Sequence, residues 1–263
     1  MAVGKSIEKR NHIIGFQEEI ADAQKQSKDA FFTWFDDAKN ADDSFTSGAW
    51  DFAHHIAEPA TRYVKDPAKK TVLEIGHGGG RVLSAASRYF KTACGVDIHK
   101  NNHLVANELA ERGVNNVRLL ETTNCNIDLP DESVDLVYSF IVLQHVEKID
   151  IFKQYLAESY RVLKPGGIAI LYFARYSRFS QNRPSRALFY FDDLLEPLLM
   201  PKGYLEIPAR VNEVNLKVGR RYVSRLAKAL GYKVRERLRS KKGVPNGIHI
   251  YGGQNGLVLE KIT

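Results

Sequence analysis

The stretch Thr71–Arg81, Thr-Val-Leu-Glu-Ile-Gly-His-Gly-Gly-Gly-Arg, constrains the fold more than any other part of the chain. Thr71–Ile75 is a short β-branched and apolar run, and Gly76–Gly80 is a cluster of glycines. Arg81–Phe90 has helical spacing, with Val82, Ala86, Tyr89 and Phe90 on one side. A buried strand that ends in a glycine turn and feeds a helix makes a nucleotide cradle. Glycine tolerates positive φ and lets the backbone approach a ligand, while the first N–H groups of the helix point into the gap. The glycines fall at Gly76, Gly78 and Gly80, with Glu74 two residues before the first. The dinucleotide pattern Gly-x-Gly-x-x-Gly would put its third glycine one residue later, where Arg81 stands, which disfavours a nicotinamide-type domain.

The alternation continues downstream. Ala93–Asp97 reads as a second strand ending in a carboxylate 21 residues beyond Gly76. A carboxylate there can accept from both hydroxyls of a ribose; a plain helix N-cap is the other use of such a residue. Asn101–Arg112 is a helix closed by Gly113, Val117–Leu120 a third strand, and Ser133–Phe140 a buried fourth strand with Asp135 at its entry. Ile149–Leu163 is an amphipathic helix halted by Lys164-Pro165-Gly166-Gly167, and Ile168–Phe173 is a fifth strand. Strand and helix alternating in this way give a doubly wound α/β fold. Residues 1–65 read as helical, marked by Ile14, Phe16, Ile20 and the cluster Phe31, Phe32, Trp34 and Phe35; a helix begins near Thr46-Ser47-Gly48. At the other end, Leu216–Leu230 reads as a helix with a basic stripe, and Tyr232–Leu238 and Gly256–Glu260 as the last two strands, joined by a glycine-rich loop that holds His249.

The acid-x-Gly-x-Gly-x-Gly turn, the acidic end of the second strand, the Asp135…Ser139…His145 pattern and the Leu-Lys-Pro-Gly-Gly stop together resemble the class I S-adenosylmethionine (SAM)-dependent methyltransferases, in their small-molecule, type 11-like subgroup. The resemblance runs from about Thr71 to Ala174. It implies a Rossmann-like sheet of seven strands, mostly parallel with the last antiparallel, and SAM as cofactor, leaving S-adenosylhomocysteine. It implies that Glu74, Gly76, Gly78 and Gly80 carry the methionine end of SAM, that Asp97 holds the ribose, and that Ser139 borders the ligand. The loop after the third strand touches adenine in this family. The usual acid is replaced here by Cys125, so Asn124, Cys125 and Asn126 are the residues at that position. His145, just past the fourth strand, can serve as a general base or as a structural histidine. The chain lacks the Asn-Pro-Pro-Tyr-like signature of nucleobase amino methyltransferases.

Charge and layout complete the expectation. The chain of 263 residues carries +7, of which residues 176–263 hold +10 and residues 1–175 hold −3. A basic C-terminal third attracts an anionic partner or simply solubilises a face. The layout expected is a helical extension or lid over 1–65, a SAM-binding core over 66–175, a substrate cap over 176–215 and the remainder of the core over 216–263. Arg178, Arg183 and Arg186 in the aromatic-rich cap are the candidate acceptor contacts. The acceptor expected is small, polar, anionic or glycan-like, methylated through oxygen. RNA or protein methylation and a non-catalytic SAM-binding module are the alternatives, with nucleic acid disfavoured. Two cysteines, Cys94 and Cys125, without ligand-like spacing imply no metal and a reduced cytoplasmic setting, and no apolar run reaches spanning length. The oligomeric state has no sequence signal.

Overall fold

The computed structural model describes residues 16–36, 38–180, 186–240 and 253–262, with the side chain of residue 186 outside that description. Among the described residues nine strands form one sheet: β1 (Thr71–Ile75), β2 (Thr92–Asp97), β3 (Val117–Glu121), β4 (Val134–Ser139), β5 (Leu163–Ala174), β6 (Tyr204–Glu206), β7 (Leu216–Val218), β8 (Tyr232–Arg239) and β9 (Gln254–Lys261). The spine of the sheet runs β3-β2-β1-β4-β5, all parallel, and continues through β9, antiparallel to β5, to β8 at the edge. This is the seven-stranded arrangement expected, with only β9 reversed. Every residue of β4 is buried, as are Ile168–Ala174 of β5, because helices cover both faces of a parallel sheet.

The two further strands correct the sequence reading. Leu216–Val218 is not the start of a helix; it pairs with Tyr204–Glu206 in a short antiparallel hairpin, and Lys217 pairs with Ala174 of β5. Leu216 and Val218 are buried in strand alternation, and the helix begins only after Gly219. Ala174 also pairs with Gln254 of β9, so the hairpin lies on the opposite side of β5, beyond the end of β4. Lys164–Gly167 likewise belongs to β5, as a register shift between the pairs Val134/Leu163 and Leu136/Ile168, with Gly166 at φ +75°.

Helices α1 (Phe16–Gln26), α2 (Lys28–Thr33) and α3 (Ala41–Asp51) precede the sheet, and α3 runs on through a π-helical turn, Phe52–Ala57. The third helix starts at Ala41, not Thr46, because Asn40 caps it by accepting from the N–H of Asp43. Then come α4 (Arg81–Ser87), α5 (Asn102–Glu111), α6 (Ile149–Val162), α7 (Arg186–Leu199) and α8 (Arg220–Ala229). One face of the sheet packs on α6 and α8 through Phe152, Leu156, Val223 and Ala227. The other packs on α4 and the π-helical turn through Phe52, Ile56, Val82 and Leu83. A third cluster, Phe16, Ile20, Phe31, Phe32 and Phe45 with Val105 and Leu109, joins the N-terminal helices to α5. Among the described residues no helix is long and apolar enough to cross a membrane. The loop with His249 and the position of Ile14 lie outside the described residues.

Candidate functional site

The glycine turn sits where β1 ends and α4 begins, at the C-terminal edge of the sheet. Gly76, Gly78 and Gly80 take φ of +78°, +52° and +80°. The turn is held from inside: Gly76 N–H donates to the carbonyl of Val96 at 2.7 Å and Gly80 N–H to that of His77 at 2.7 Å. A Cβ added at Gly76 would stand 2.2 Å from Val142, and one at Gly78 would stand 2.8 Å from Phe35, so two of the glycines are close-approach positions as well as turn positions. Gly80 serves packing instead, since its Cβ would meet Val105 of α5 at 2.8 Å.

Asp97 reaches back to this turn. Its Oδ2 accepts from Gly78 N–H at 2.8 Å and its Oδ1 from Ile98 N–H at 2.7 Å. Burial alone would raise its pKa, but His99, His77 and those backbone donors outweigh burial and hold the carboxyl below its ordinary value. His77 and His99 both lie beside it and both donate to the carbonyl of Gly78, at 2.9 Å each. The three residues bring ligand-type atoms within 4.8 Å of one another. However, the second nitrogen of His99 already accepts from Asn101 N–H at 3.1 Å, and that bond takes the lone pair a metal would need. The cluster splints the loop. Burial pushes His77 down to about 4, so it stays neutral.

Glu74 is buried at the end of β1 and accepts from the hydroxyl of Tyr138 at 3.0 Å. Burial pushes its pKa up to about 8, against the pull of Tyr138 and Arg81. Glu74, Gly76, Gly78 and Asp97 line one cavity of about 110 Å³, which also takes in His145. The ring of His145 lies 5.8 Å from that of Phe16. Its Nδ1–H donates to the carbonyl of Glu213 at 2.7 Å, and the amide of Gln144 donates to its Nε2 at 3.2 Å. Gln254 in turn donates to Gln144 at 2.8 Å. Burial lowers the His145 pKa.

The sequence reading missed several walls of this cavity. His77 and Gly79 lie inside the glycine run itself. Phe140 and Val142 follow β4, while Tyr155 arrives from α6, where its helical spacing signals only core. The roof is Phe16, Ile20, Trp34 and Phe35 of the N-terminal segment, with Asn212 from the region after β6. The aromatic cluster of residues 31–35 therefore lies on the glycine turn, and Phe32 comes within 3.0 Å of a Cβ placed on Gly79.

Other expected positions do not come together here. Asn124 and Asn126 line a separate open cleft with Glu121, Asp128 and Arg161. Cys125 turns inward at φ +66° and joins the core, its thiol pushed up to about 12 by burial and Glu158. Ser139 is fully buried and donates to the carbonyl of Ile75 at 3.1 Å, tying β4 to β1. Arg178 is exposed, with its guanidinium 5.8 Å from the Phe179 ring. Arg183 and the side chain of Arg186 lie outside the described residues.

Residues 73–171 match the family described as "Methyltransferase domain". The chain is 34% identical over 105 residues to the "Uncharacterized methyltransferase YcgJ" of Bacillus subtilis, covering 40% of each. It is 28% identical over 132 residues to a "Ubiquinone biosynthesis O-methyltransferase" of Agrobacterium fabrum, covering 50% of each. The chain thus spans half or less of the length of these curated relatives. Among solved structures, the PH0226 protein of Pyrococcus horikoshii superposes with a TM-score of 0.56 at 21% identity, over 89% of this chain and 96% of that one. Residues 73–171 are a methyltransferase domain of the class I, SAM-dependent kind, and SAM is the cofactor of that domain.

Proposed function

We propose that the chain transfers the methyl group of SAM to an oxygen atom of a small, polar acceptor, anionic or glycan-like in character. The observation that carries this reading is the cavity in which Glu74, Gly76, Gly78 and Asp97 meet at the strand ends. Its fit to SAM is chemical. Gly76 and Gly78 line the cavity with bare backbone, packed against Val142 and Phe35, Asp97 keeps its charge and has acceptor sites beyond its two short backbone bonds, and Glu74 faces the cavity as a carboxyl that a cationic group would ionise. When bound, SAM supplies an electrophilic methyl group on a sulfonium centre.

The protein's part is positioning, exclusion of water and handling of one proton. Residues 16–36 act as a lid. The cavity beneath them is about 110 Å³, well below the roughly 300 Å³ at which small-molecule pockets begin, so cofactor entry requires Phe16, Trp34 and Phe35 to move aside. Closure then removes solvent from the reacting centre. His145 is held as a neutral imidazole with Nδ1 protonated, which leaves the basic lone pair on Nε2. Gln144 donates to that lone pair and would give way to an acceptor hydroxyl. The described residues of the stretch 176–215 cap the acceptor side through Asn212, which lines the cavity, and Asn215 supports them by donating to the carbonyls of His145 at 2.9 Å and Arg210 at 3.0 Å.

The test is turnover. Protein supplied with methyl-labelled SAM and fractionated pools of hydroxyl-bearing metabolites should move label into one fraction. Binding of S-adenosylhomocysteine with no transfer to any pool would favour a SAM-binding module without chemistry.

A further inference from the structure

Away from the cofactor cavity, the edge of the sheet and the cap enclose a second, open cavity of about 810 Å³. Arg220 at the start of α8 and Arg237 and Arg239 at the end of β8 line it, with Tyr190 and Asp193 of α7 and Tyr172 of β5. The guanidiniums of Arg220 and Arg239 converge on one carboxylate, Asp193, the first at 2.5 Å. Behind them lies Arg175, buried, with its guanidinium 4.3 Å from the Phe189 ring; Arg239 stands 5.3 Å from the same ring. Phe189 is thus flanked by two guanidiniums.

Four arginines and three carboxylates line the cavity; Arg62 pairs with Glu58 at 3.3 Å and Glu236 at 2.8 Å, which leaves Asp193 as the acid facing Arg220, Arg237 and Arg239. Asp192 accepts from the backbone N–H groups of Arg178, Phe179 and Ser180 and from the Ser180 hydroxyl, and lies 3.7 Å from Arg175 Nη1, so it offsets that buried guanidinium. Glu196 is buried, which favours its neutral form, and repulsion from Asp193 adds to this. Burial lowers the pKa of Arg175 and of Arg220, as do neighbouring guanidiniums including Arg239. Placing like charges side by side in half-buried surroundings costs free energy unless an anion offsets them. Planar guanidiniums that converge from different elements are the geometry that recognises phosphate or carboxylate.

One pair of buried, packed rings separates this cavity from the proposed cofactor cavity. The Tyr172 ring on its wall meets that of Phe140 edge-on at 5.3 Å, and Phe140 lines the cofactor cavity. We propose that this arginine-lined cavity binds the oxyanion end, phosphate or carboxylate, of the methyl acceptor. The proposal rests on the methyl-transfer reading for its link to an acceptor, but anion binding stands independently of it. It also moves the acceptor contact from Arg178, Arg183 and Arg186 to Arg220, Arg237 and Arg239.

The test is titration of the full chain with inorganic pyrophosphate and with citrate at low salt, with and without saturating S-adenosylhomocysteine. The parent should bind one or both, and the tighter of the two names the oxyanion. Arg237→Gln and Arg239→Gln should each weaken that binding by about tenfold or more. Asp193→Asn removes the competing carboxylate and should strengthen it severalfold, an outcome that a purely structural role for the Asp193 ion pairs would not produce. Failure of the parent to bind either anion, or equal affinity in parent, Arg237→Gln and Asp193→Asn while each still binds S-adenosylhomocysteine, would overturn the proposal and leave the arginines as a solvated face. Failure of S-adenosylhomocysteine to bind would count against the methyltransferase reading alone.

Discussion

At the scale of single residues, Glu74 stores the clearest pH dependence. Its carboxyl is sealed beneath the cavity and its pKa is pushed up to about 8 by burial. The folded state therefore holds a proton that the unfolded chain gives up near its ordinary value of 4.5. The stability this contributes is present at low pH and is lost as pH rises toward 8, at up to about 1.4 kcal/mol per pH unit. Glu74→Gln keeps the neutral form at every pH. Its thermal midpoint relative to the parent should rise steadily between pH 5 and pH 8 and then level off, as followed by circular dichroism. A constant difference across that range would mean that Glu74 is already ionised. Binding a cationic ligand end there should release a proton at pH 7, detectable as a buffer-dependent heat.

His145 carries the second residue-scale prediction. Because burial lowers its pKa, the basic form persists below the usual histidine value of 6.5. Turnover limited by this base should fall on the acid side with a midpoint under 6.5, and His145→Gln should cost at least about 100-fold in kcat. A full rate in His145→Gln, measured on an identified acceptor, would reduce the residue to a strut between Gln144 and Glu213.

At the scale of elements, the N-terminal segment is bolted to the start of α4 by a buried charge group. Arg81 Nη1 meets Asp51 at 2.6 Å and its Nε meets Asp36 at 3.5 Å, all three side chains being at least nine-tenths buried. Beside them α3 crosses α4 so closely that a Cβ on Gly48 would fall 2.5 Å from the backbone of Arg81. Removing one partner of a buried pair costs about 3–5 kcal/mol, because the other charge stays behind. Arg81→Met should lose a stability of that order in urea unfolding, and S-adenosylhomocysteine should bind more weakly, since the same residue lines the proposed cofactor cavity. Unchanged urea stability would show that Asp36 and Asp51 are satisfied by other partners. The opposite edge of the sheet solves a different problem. Among the described residues β8 is an edge strand, and Lys233, Arg235 and Arg237 project from it as exposed charges, which oppose edge-to-edge pairing.

At the scale of the whole molecule, the core was legible in the sequence because its signals are local. Apolar runs of strand length, glycine turns and the Lys-Pro-Gly-Gly stop each act within a few residues, and they marked β1 to β5 within a few residues of their ends, apart from the early start of β5 at Leu163. Glu74, Gly76, Gly78 and Asp97 were legible for the same reason, since turn chemistry and a strand end are visible in one dimension. The hairpin β6–β7 was not, because three-residue strands exist only through their pairing, and apolar residues at 216, 223 and 226 mimic helical spacing across Gly219. Nor could the direction of the loop at Asn124–Asn126 be read, as φ at Cys125 decides which side chains turn inward. The arginine cavity was hidden most fully. Its cations come from residues 175, 220, 237 and 239, and only the fold brings them together.

The cavity beneath Phe35 is proposed to hold SAM through Asp97 and the glycine turn. Calorimetric titration of S-adenosylhomocysteine into the parent and into Asp97→Ala tests it most directly, with circular dichroism confirming that both are folded. One site per chain is expected in the parent, with a loss of roughly 1.5–3 kcal/mol of binding free energy in the variant. No measurable binding to the folded parent, or equal affinity in parent and variant, would contradict it.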